Sequence, residues 1–536
     1  MRRIFAALHR SSPSESIDLL NNIRLAENVE DAISAVTPKL NPLPMISSSS
    51  EDPTDRYESK SPSARISSTL WSKQLPLSRW TSVISDDETL SHLFYLFWTW
   101  DTTLPGIIDR KMLLEDLYDA QENHGNERPL FCSKLLVNSI LSVSTSFVRD
   151  GDGFDRPVPK GCAFADEAYR QLEQHMPESK ITLIQGLAIL STYESNFGDR
   201  AKAAGLLENL DQLRSTPDPF ETQALCQDNS QARREGRILE ALDFISMVSR
   251  PVILPVPRQF RRSEDFELLG WDEDSVDDIW CPYPMSMDPQ VSLFWELLNA
   301  KYELAEFASE AVSQIDLDHN SPVPDYPRAK ALYSRLARWY EGVCQQWHSD
   351  ASLIPSCVFL STLFSTLAIR LLEPFTKLSF LGFGSDQTAL SLSLSHGQSI
   401  VSGLLNYRTA FGMRHDYWLM NACYTAAKSL LFNYKPESGH GEALMKSLEL
   451  LHDMGHYMPR ANRVLLALRI WTTKARVHIP DNASTFLNAG ALKAQPIVIT
   501  NVRIFDGLED NNEGRDQVHQ LVFAQDIVSV VEDVAP

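Results

Sequence analysis

The sequence predicts an all-α protein: a compact multi-helix array with a disordered N-terminal linker and a short β-rich C-terminal tail. Between residues 69 and 480, apolar residues recur at helical spacing and strand-like alternation is absent. The 536 residues are 43% hydrophobic and 22% charged, which is typical of a globular chain with a sizeable core. The last forty residues change character, because valine and isoleucine alternate there between turn residues.

The stretch 90–148 organises the predicted array. Its first piece carries apolar residues at the spacing of one helix face: Leu90, Leu93, Phe94, Phe97 and Trp98. Pro105 and Gly106 end that helix, since both residues disfavour a helix interior. A short helix follows with one apolar side, formed by Leu113, Leu114 and Leu117. These are amphipathic elements, and each needs a partner to cover its apolar stripe.

The helix after Pro129 is predicted to lie at the centre of the core. It is apolar nearly all round, and a helix of that kind belongs inside a protein. The residues concerned are Leu135, Leu136, Val137, Ile140, Leu141, Val143 and Phe147.

Composition divides the chain into four predicted ranges. Residues 1–36 form a short helical segment, and 37–68 form a disordered linker rich in proline and serine. Residues 69–480 are the helical domain, and 491–536 are the β-rich tail.

Charge and cysteine usage restrict the function classes. The formal net charge is −21, whereas a chain that grips phosphates needs the opposite sign, so we expect no direct DNA binding from this chain alone. The seven cysteines are scattered, and none is paired as C-x-x-C, which favours a reducing compartment and argues against a structural zinc site. No apolar run reaches the roughly 18 residues of a membrane span, so we expect no membrane segment.

The organising stretch also carries a resemblance. It reads FWTW at the end of an aromatic helix, then a proline and IIDR, then FCSKLLVNSILSVSTSF. In this order the pieces resemble the opening of the fungal-specific transcription factor domain. That domain is the regulatory region of fungal zinc-cluster regulators, and the similarity is greatest to the nitrogen-assimilation subgroup.

Further pieces follow in the family's order: paired helices at 182–210, an Asp-helix and Arg-Pro element at 237–254, a helix pair at 402–433, and a last helical hairpin at 451–469. In the second piece the candidates are Asp243, Arg250 and Pro251, but the spacing is short and the usual Trp and Gly are missing. In the third, the Arg414-His415 pair follows the Gly412 stop.

The resemblance implies a nuclear transcription regulator rather than an enzyme. This chain begins at about the point where the DNA-binding cluster would end, so we expect it to act without that cluster, through effector or partner binding. The partners implied are a small-molecule effector and a homo- or heterodimer with zinc-cluster regulators.

The tail offers an alternative. Its ITNVRIFDG segment resembles the first strands of a metal-dependent amidohydrolase, although the His-x-His metal pair is absent from these residues. A fusion or hybrid with an amidohydrolase-type hydrolase fragment is therefore a second interpretation, and a helical protein-interaction scaffold is a third.

Local motifs predict no catalytic, cofactor or metal residues. His452 and His456 have metal-ligand spacing on a helix, but a solvated pair is the favoured interpretation. Gly382 and Gly384 are predicted to form an inter-helix turn rather than a phosphate loop. The acidic-aromatic segment 263–280 has the composition of coactivator-docking segments, while the alternative is a surface loop whose aromatic residues pack onto the helical body.

Overall fold

The fold, described here from a computed structural model, is built from helices with one short hairpin. The structure describes residues 73–122, 129–152, 154, 157–174, 179–215, 279–316, 325–345, 354–378, 382–383, 387–412, 414, 417–434, 439–474 and 479–493. Over these ranges fourteen α-helices are present, which confirms the predicted all-α class.

The first six helices are α1 (Asp87–Trp100), α2 (Arg110–Glu122), α3 (Lys134–Ser144), α4 (Gly161–Gln174), α5 (Lys180–Phe197) and α6 (Arg200–Ser215). The other eight are α7 (Phe294–Asp316), α8 (Tyr326–Gln345), α9 (Pro355–Leu372), α10 (Ala389–Phe411), α11 (Tyr417–Phe432), α12 (Gly441–Met454), α13 (Pro459–Lys474) and α14 (Asp481–Lys493). Between α6 and α7, β1 (Ile279–Trp280) pairs antiparallel with β2 (Gln290–Val291).

Helix α1 begins and ends where its sequence provides caps. The Asp86 side chain accepts a hydrogen bond from the Glu88 amide, and Asp87 and Glu88 place negative charge in the first turn. The helix ends at Asp101, whose backbone is extended. A 3-10 helix, Leu104–Ile107, follows with Pro105 in its first turn, as the proline stop predicts.

Every residue of helix α3 after the exposed Lys134 is buried, although several of these side chains are polar. Its hydroxyls bond back to carbonyls of their own helix, as Ser139 does to Leu135 and Ser144 does to Ile140. Asn138 donates to the carbonyl of Trp80 at 2.9 Å. Because the serine hydroxyls are satisfied within the helix, the serine-rich sequence can occupy the core, and the predicted central position of this helix is confirmed.

Two sets of helices share one apolar core. In the first, α3 packs against α1, α4 and α5, and α6 packs along α5. In the second, α9 contacts α7, α8, α10 and α11, while α12 contacts α10, α11, α13 and α14. Helix α13 also packs against α5, and the buried apolar residues of both sets form a single cluster.

Two glycines show why this packing is close. A Cβ on Gly186 of α5 would lie 2.7 Å from Cγ of Leu135, so α3 and α5 approach at a distance that only glycine permits. Gly412 ends α10 with a φ of +75°, a conformation that favours glycine, and this agrees with the predicted stop.

The helical region continues past residue 480. Helix α14 packs on α12 and α13 through the buried Ala483 and Leu487. The hairpin predicted at 451–469 is formed by α12 and α13, but it is therefore not the last helical element. The division of the chain into four ranges itself stays a prediction.

Several predicted features lie outside the described residues. They are the segments 1–36 and 37–68, the element at 237–254 with Asp243, Arg250 and Pro251, most of 263–280, and the tail from 494 to 536.

One described helix has the length and composition of a membrane span. It is α9 with the turn that follows, Pro355–Phe375, and 83% of its most apolar window is buried among other helices. A core helix passes the same test, and the packing of α9 against four other helices is typical of a core helix.

Candidate effector cavity

A cavity of about 50 Å³ lies where five separate segments meet. Its walls come from the last turn of α1 and the residues after it, the start of α2, strand β1, and the starts of α7 and α9. A water molecule occupies roughly 10–15 Å³ on this measure, so the space holds about four water-sized groups. Among the described residues, the lining includes no histidine and no cysteine.

Asp101 is held at the rim of the cavity by the turn that follows α1. One carboxylate oxygen, Oδ1, accepts from the amides of Thr103 at 2.9 Å and Leu104 at 2.8 Å. The side chain thus caps the 3-10 helix, and the residue is buried.

Arg110 supplies the opposite charge. It is buried at the start of α2, with its guanidinium carbon 5.1 Å from the ring centroid of Trp98. This cation–π contact holds the arginine against an indole. Lys301 lies nearby and donates to the carbonyl of Thr102, with its ammonium 4.8 Å from the ring centroid of Phe359.

Trp280 connects the β-hairpin to this corner of the fold. Its indole N–H donates to the carbonyl of Thr99 at 2.8 Å, and its ring meets that of Trp100 edge-on at 5.8 Å. Ile279 also packs on the core. Ile279 and Trp280 belong to the acidic segment 263–280, and both pack onto the helical body, as the surface-loop interpretation predicts. The rest of the segment lies outside the described residues.

Two lining residues carry unsatisfied polar atoms. Thr99 is 2% exposed, and its hydroxyl has no hydrogen-bond partner among the described residues. The indole nitrogen of Trp98 is also buried without one. Buried polar groups are rarely left in this state, and a site for water or a ligand is one of the few explanations.

A second buried polar site also contacts the end of α1. Arg414 forms a bidentate pair with Asp152, in which Nη1 donates to Oδ2 at 2.9 Å and Nη2 donates to Oδ1. The same Nη1 donates to the carbonyl of Phe147 at 2.7 Å, and the guanidinium lies 5.4 Å from the ring centroid of Trp100. We call this arrangement, with Arg414, Asp152 and Phe147, the buried ion-pair junction.

Neighbouring groups complete the junction. Arg149 donates from its amide to Asp152 and stacks at 3.8 Å on the ring of Tyr457. Burial lowers the pKa of Arg149 to about 10, so it remains cationic at neutral pH. Arg414, which the sequence analysis singled out, thus has a structural role, because it joins the segment before α11 to Phe147 and Asp152. His415 beside it lies outside the described residues.

His92 and Tyr283 form a hydrogen bond of 2.7 Å beside the junction. Burial lowers the pKa of His92, an effect that the nearby negative charge of Asp152 opposes. Burial, and secondarily the same carboxylate, raises the pKa of Tyr283 to about 12. Both side chains are therefore neutral at physiological pH.

The two histidines with metal-ligand spacing do not share a helix. Helix α12 ends at Met454, so His452 lies in its last turn and His456 lies in the turn beyond it, with ring centroids 5.2 Å apart. Among the described residues, no group of three His, Cys, Asp or Glu side chains is arranged to hold a metal ion. Gly382 lies in a turn between α9 and α10, bridged to Thr388, as predicted, while Gly384 is outside the described residues.

The chain is similar to fungal transcription factors. It is 21% identical over 466 residues to the nitrogen assimilation transcription factor nit-4 of Neurospora crassa, a match that covers 81% of this chain and 41% of that protein. It is 22% identical over 441 residues to the nitrogen assimilation transcription factor nirA of Emericella nidulans, covering 76% of this chain and 47% of that protein.

A third relative is the notoamide biosynthesis transcriptional activator notL' of Aspergillus versicolor. It is 30% identical over 173 residues, which are 31% of this chain and 25% of that protein. No protein-family model matches the chain, and no solved structure matches it significantly.

These matches agree with the resemblance to fungal transcription regulators that the sequence carries. The chain spans less than half the length of the two nitrogen-assimilation relatives. The amidohydrolase resemblance falls on residues outside the described part of the chain.

Proposed function

We propose that this chain is a nuclear transcription regulator whose helical body acts through effector or partner binding. The observation that supports this best is the extent of the similarity, since it covers 81% of the chain in one match to a fungal transcription factor. A shared motif would cover one segment, whereas this match covers most of the helical body.

The regulatory assignment agrees with the physical character of these residues. Their net charge is −21, and the cysteines include no C-x-x-C pair, so the 536 residues lack the features of a zinc-cluster DNA reader. We propose that contact with DNA is indirect, through a partner such as a zinc-cluster regulator. Docking of coactivators on the acidic segment 263–280 is a further element of this proposal.

The cavity is the proposed site of effector control. It combines one buried cation, one buried carboxylate and aromatic walls, which suits the recognition of a small polar molecule. It also lies against the last turn of α1, whose Trp100 contacts the buried ion-pair junction. A ligand in the cavity would therefore act on a helix that also contacts the junction.

A reporter assay tests the regulatory role. The full chain is fused to a heterologous sequence-specific DNA-binding domain and expressed in a fungal host with a reporter carrying its binding site. We expect severalfold activation or repression relative to the DNA-binding domain alone, and a nuclear signal from a fluorescently tagged chain.

The matched control is the same fusion carrying Ile140→Asp, which places a charge in the buried centre of α3. It should have no regulatory effect. If the wild-type fusion accumulates to the level of the DNA-binding domain alone yet leaves the reporter unchanged, the proposed function is wrong.

A further inference from the structure

We propose that Cys344 and Cys357 form one oxidative modification site, in which a peroxide converts the two thiols into a disulfide between α8 and α9. Both cysteines are free thiols in the structure. The register of the two helices brings them to facing positions, and only one of them is open to a small oxidant. In a reducing compartment a disulfide of this kind is transient, which suits a site that responds to oxidation.

Helices α8 and α9 run antiparallel, and two ring contacts fix their register. Near the start of α8, Tyr326 meets Phe375, which follows the end of α9, with ring centroids 5.9 Å apart. Near the end of α8, Tyr340 stacks on Phe364 of α9 at 3.9 Å with an interplanar angle of 6°. The end of α8 therefore lies alongside the part of α9 that leads back to its start.

Each helix carries a cysteine one turn beyond this stack. Burial raises the pKa of the Tyr340 hydroxyl, which hydrogen-bonds with Ser361 of α9 and with Cys344, one turn further along α8. Cys357 precedes Ser361 by one turn as well. Residues one turn apart lie on the same face of a helix. The face of α8 with Tyr340 and Cys344 therefore meets the face of α9 with Ser361 and Cys357.

Facing positions of packed helices suit a disulfide. The axes of packed helices are about 8–10 Å apart, and each Cα lies about 2.3 Å from its axis, so facing Cα atoms approach to about 3–5 Å. A disulfide requires roughly 4.4–6.8 Å between its Cα atoms, so the pair can close without unfolding either helix. The two thiols also affect each other: burial raises the pKa of Cys357 to about 12, Lys301 opposes this change, and nearby Cys344 adds to it.

The two thiols differ in access, which sets the order of the steps. Cys344 is half-buried, so hydrogen peroxide can reach it, whereas Cys357 is 1% exposed. The Cys344 thiolate attacks one peroxide oxygen: an S–O bond forms, the O–O bond breaks, and the leaving hydroxide takes up a proton to become water. The Cys357 thiolate then attacks the sulfur of this sulfenic acid: an S–S bond forms, the S–O bond breaks, and a second water leaves. The two sulfurs together lose two electrons, which reduce the peroxide.

Burial sets the rate of the first step. It raises the pKa of Cys344, so little of this thiol is thiolate at neutral pH. Reaction with trace peroxide is therefore slow, and the site responds to sustained oxidation. Pro355 and Ser356, which line the cavity, directly precede Cys357, so the disulfide also fixes the start of α9 at the cavity wall.

Peptide mapping tests the site. The reduced full chain is treated with millimolar hydrogen peroxide, remaining thiols are blocked with iodoacetamide, and peptides prepared without reductant are analysed by mass spectrometry. We expect a linked peptide that joins Cys344 to Cys357 and separates on reduction. Its rate of formation should rise at least tenfold from about pH 7 to about pH 8.5, as the thiolate fraction rises.

Two results of this mapping would overturn the proposal. One is a disulfide that joins Cys344 or Cys357 to a different cysteine. The other is a pair that stays reduced after about ten times the period that fully oxidises Cys162, which is exposed.

Substitutions separate the roles of the two thiols. Cys344→Ser should abolish the linked peptide and leave Cys357 reduced, because the buried thiol is not reached directly. Cys357→Ala should leave Cys344 as a sulfenic acid, which dimedone captures. Cys162→Ser is the control at an exposed cysteine, and it should form the linked peptide at the wild-type rate. Oxidation of Cys357 at an undiminished rate in Cys344→Ser would contradict the proposed order of steps.

A trivalent arsenical provides a check that needs no substitution. Phenylarsine oxide bridges two thiols that lie close together: two As–S bonds form and the oxygen leaves as water, with no change of oxidation state. We expect an adduct that joins Cys344 and Cys357 in the reduced native chain and that prevents formation of the peroxide-dependent link. Formation of that link at the wild-type rate in arsenical-treated chain would show that the two thiols are not adjacent. These measurements use no reporter, so they stand or fall independently of the proposed function.

Discussion

The cavity and the buried ion-pair junction both contact the last turn of α1, and both bury charged side chains. In the junction, Arg414 and Asp152 satisfy each other, and the surrounding carbonyl and amide groups take up further hydrogen bonds. In the cavity, space remains, and the hydroxyl of Thr99 in its lining lacks a partner among the described residues. Burial of charge therefore does not by itself indicate a binding site.

The two sites differ in whether all their buried polar groups have hydrogen-bond partners. A paired and fully hydrogen-bonded charge has nothing left to offer a ligand, and its role is to hold α10 and α11 against the segment after α3. An incomplete polar site gains free energy when a ligand enters, because the ligand supplies the missing partners. Substitutions at the two sites should accordingly separate stability from binding.

The largest loss of stability is expected where a substitution buries a charge that has no partner. This loss is the reference for the substitutions at the two sites. Ile140 is fully buried in α3, so Ile140→Asp would bury an isolated carboxylate in the apolar core. Core truncations alone cost about 2–5 kcal/mol, and a buried charge should exceed this in a domain of about 5–15 kcal/mol total stability. We expect aggregated or degraded protein, measured as loss of the soluble monomer on gel filtration.

Two controls accompany that substitution. Ile140→Val should cost only about 0.5–1.5 kcal/mol, and Asp150→Asn, at an exposed position, should leave the unfolding midpoint unchanged. A cooperatively unfolding Ile140→Asp protein would show that α3 is not central to the core.

The next effect concerns a charge that loses its partner. Arg414→Met leaves the Asp152 carboxylate buried and also removes a donor from the carbonyl of Phe147, so we expect a loss of about 3–5 kcal/mol in urea denaturation. Adding Asp152→Asn should recover part of this, because the orphaned charge is then removed.

The matched control is the same substitution at an exposed pair. The side chains of Arg335 and Glu310 are 55% and 37% exposed, so Arg335→Met should cost less than about 1 kcal/mol. Equal costs for Arg335→Met and Arg414→Met would show that the junction is not the structural tie described above.

A smaller effect depends on pH and arises away from both sites. Burial lowers the pKa of His396 to about 4, and its neighbours are the hydroxyl of Tyr333 at 3.1 Å and the ring of Phe364. Because the folded pKa lies below the ordinary value of 6.5, the unfolded chain binds more protons between pH 6.5 and 4. The free energy of unfolding should therefore decrease as the pH falls through that range, by at most about 3 kcal/mol.

His396→Gln isolates this contribution, since glutamine can still meet the Tyr333 hydroxyl but does not titrate. Urea denaturation at several pH values should show a shallower slope in the variant between pH 6.5 and 4. Identical slopes would contradict the assignment to His396. Measurements on the cavity and the junction are best made above pH 6.5, where this contribution is absent.

The sequence predicted the helices around both sites but neither of the sites themselves. The helices around both sites could be identified because their signals are local, such as the spacing of Leu90, Leu93 and Phe94 in α1 or the Gly412 stop of α10. The junction could not be predicted, because Asp152 and Arg414 are 262 residues apart and only tertiary packing brings them together.

The residues that line the cavity could not be predicted for the same reason. Its lining comes from five segments, and none of them carries a recognisable motif by itself. Trp280 was visible only as part of an acidic-aromatic segment, and its hydrogen bond to Thr99 spans 181 residues. The His452 and His456 spacing was visible locally, yet the helix ends between the two residues.

The smallest change in stability is expected at the cavity, and it would distinguish the two sites most directly. Thr99→Val keeps the shape of a buried side chain and removes a hydroxyl that has no partner among the described residues. The free energy of unfolding should be unchanged or raised by up to about 1 kcal/mol, because no hydrogen bond is lost.

At Thr192, which is equally buried but donates to the carbonyl of Ala188 at 3.1 Å, the same substitution should cost about 0.5–1.5 kcal/mol. If Thr99→Val instead destabilises the fold as much as Thr192→Val does, the hydroxyl is already satisfied, and the cavity is as complete as the junction.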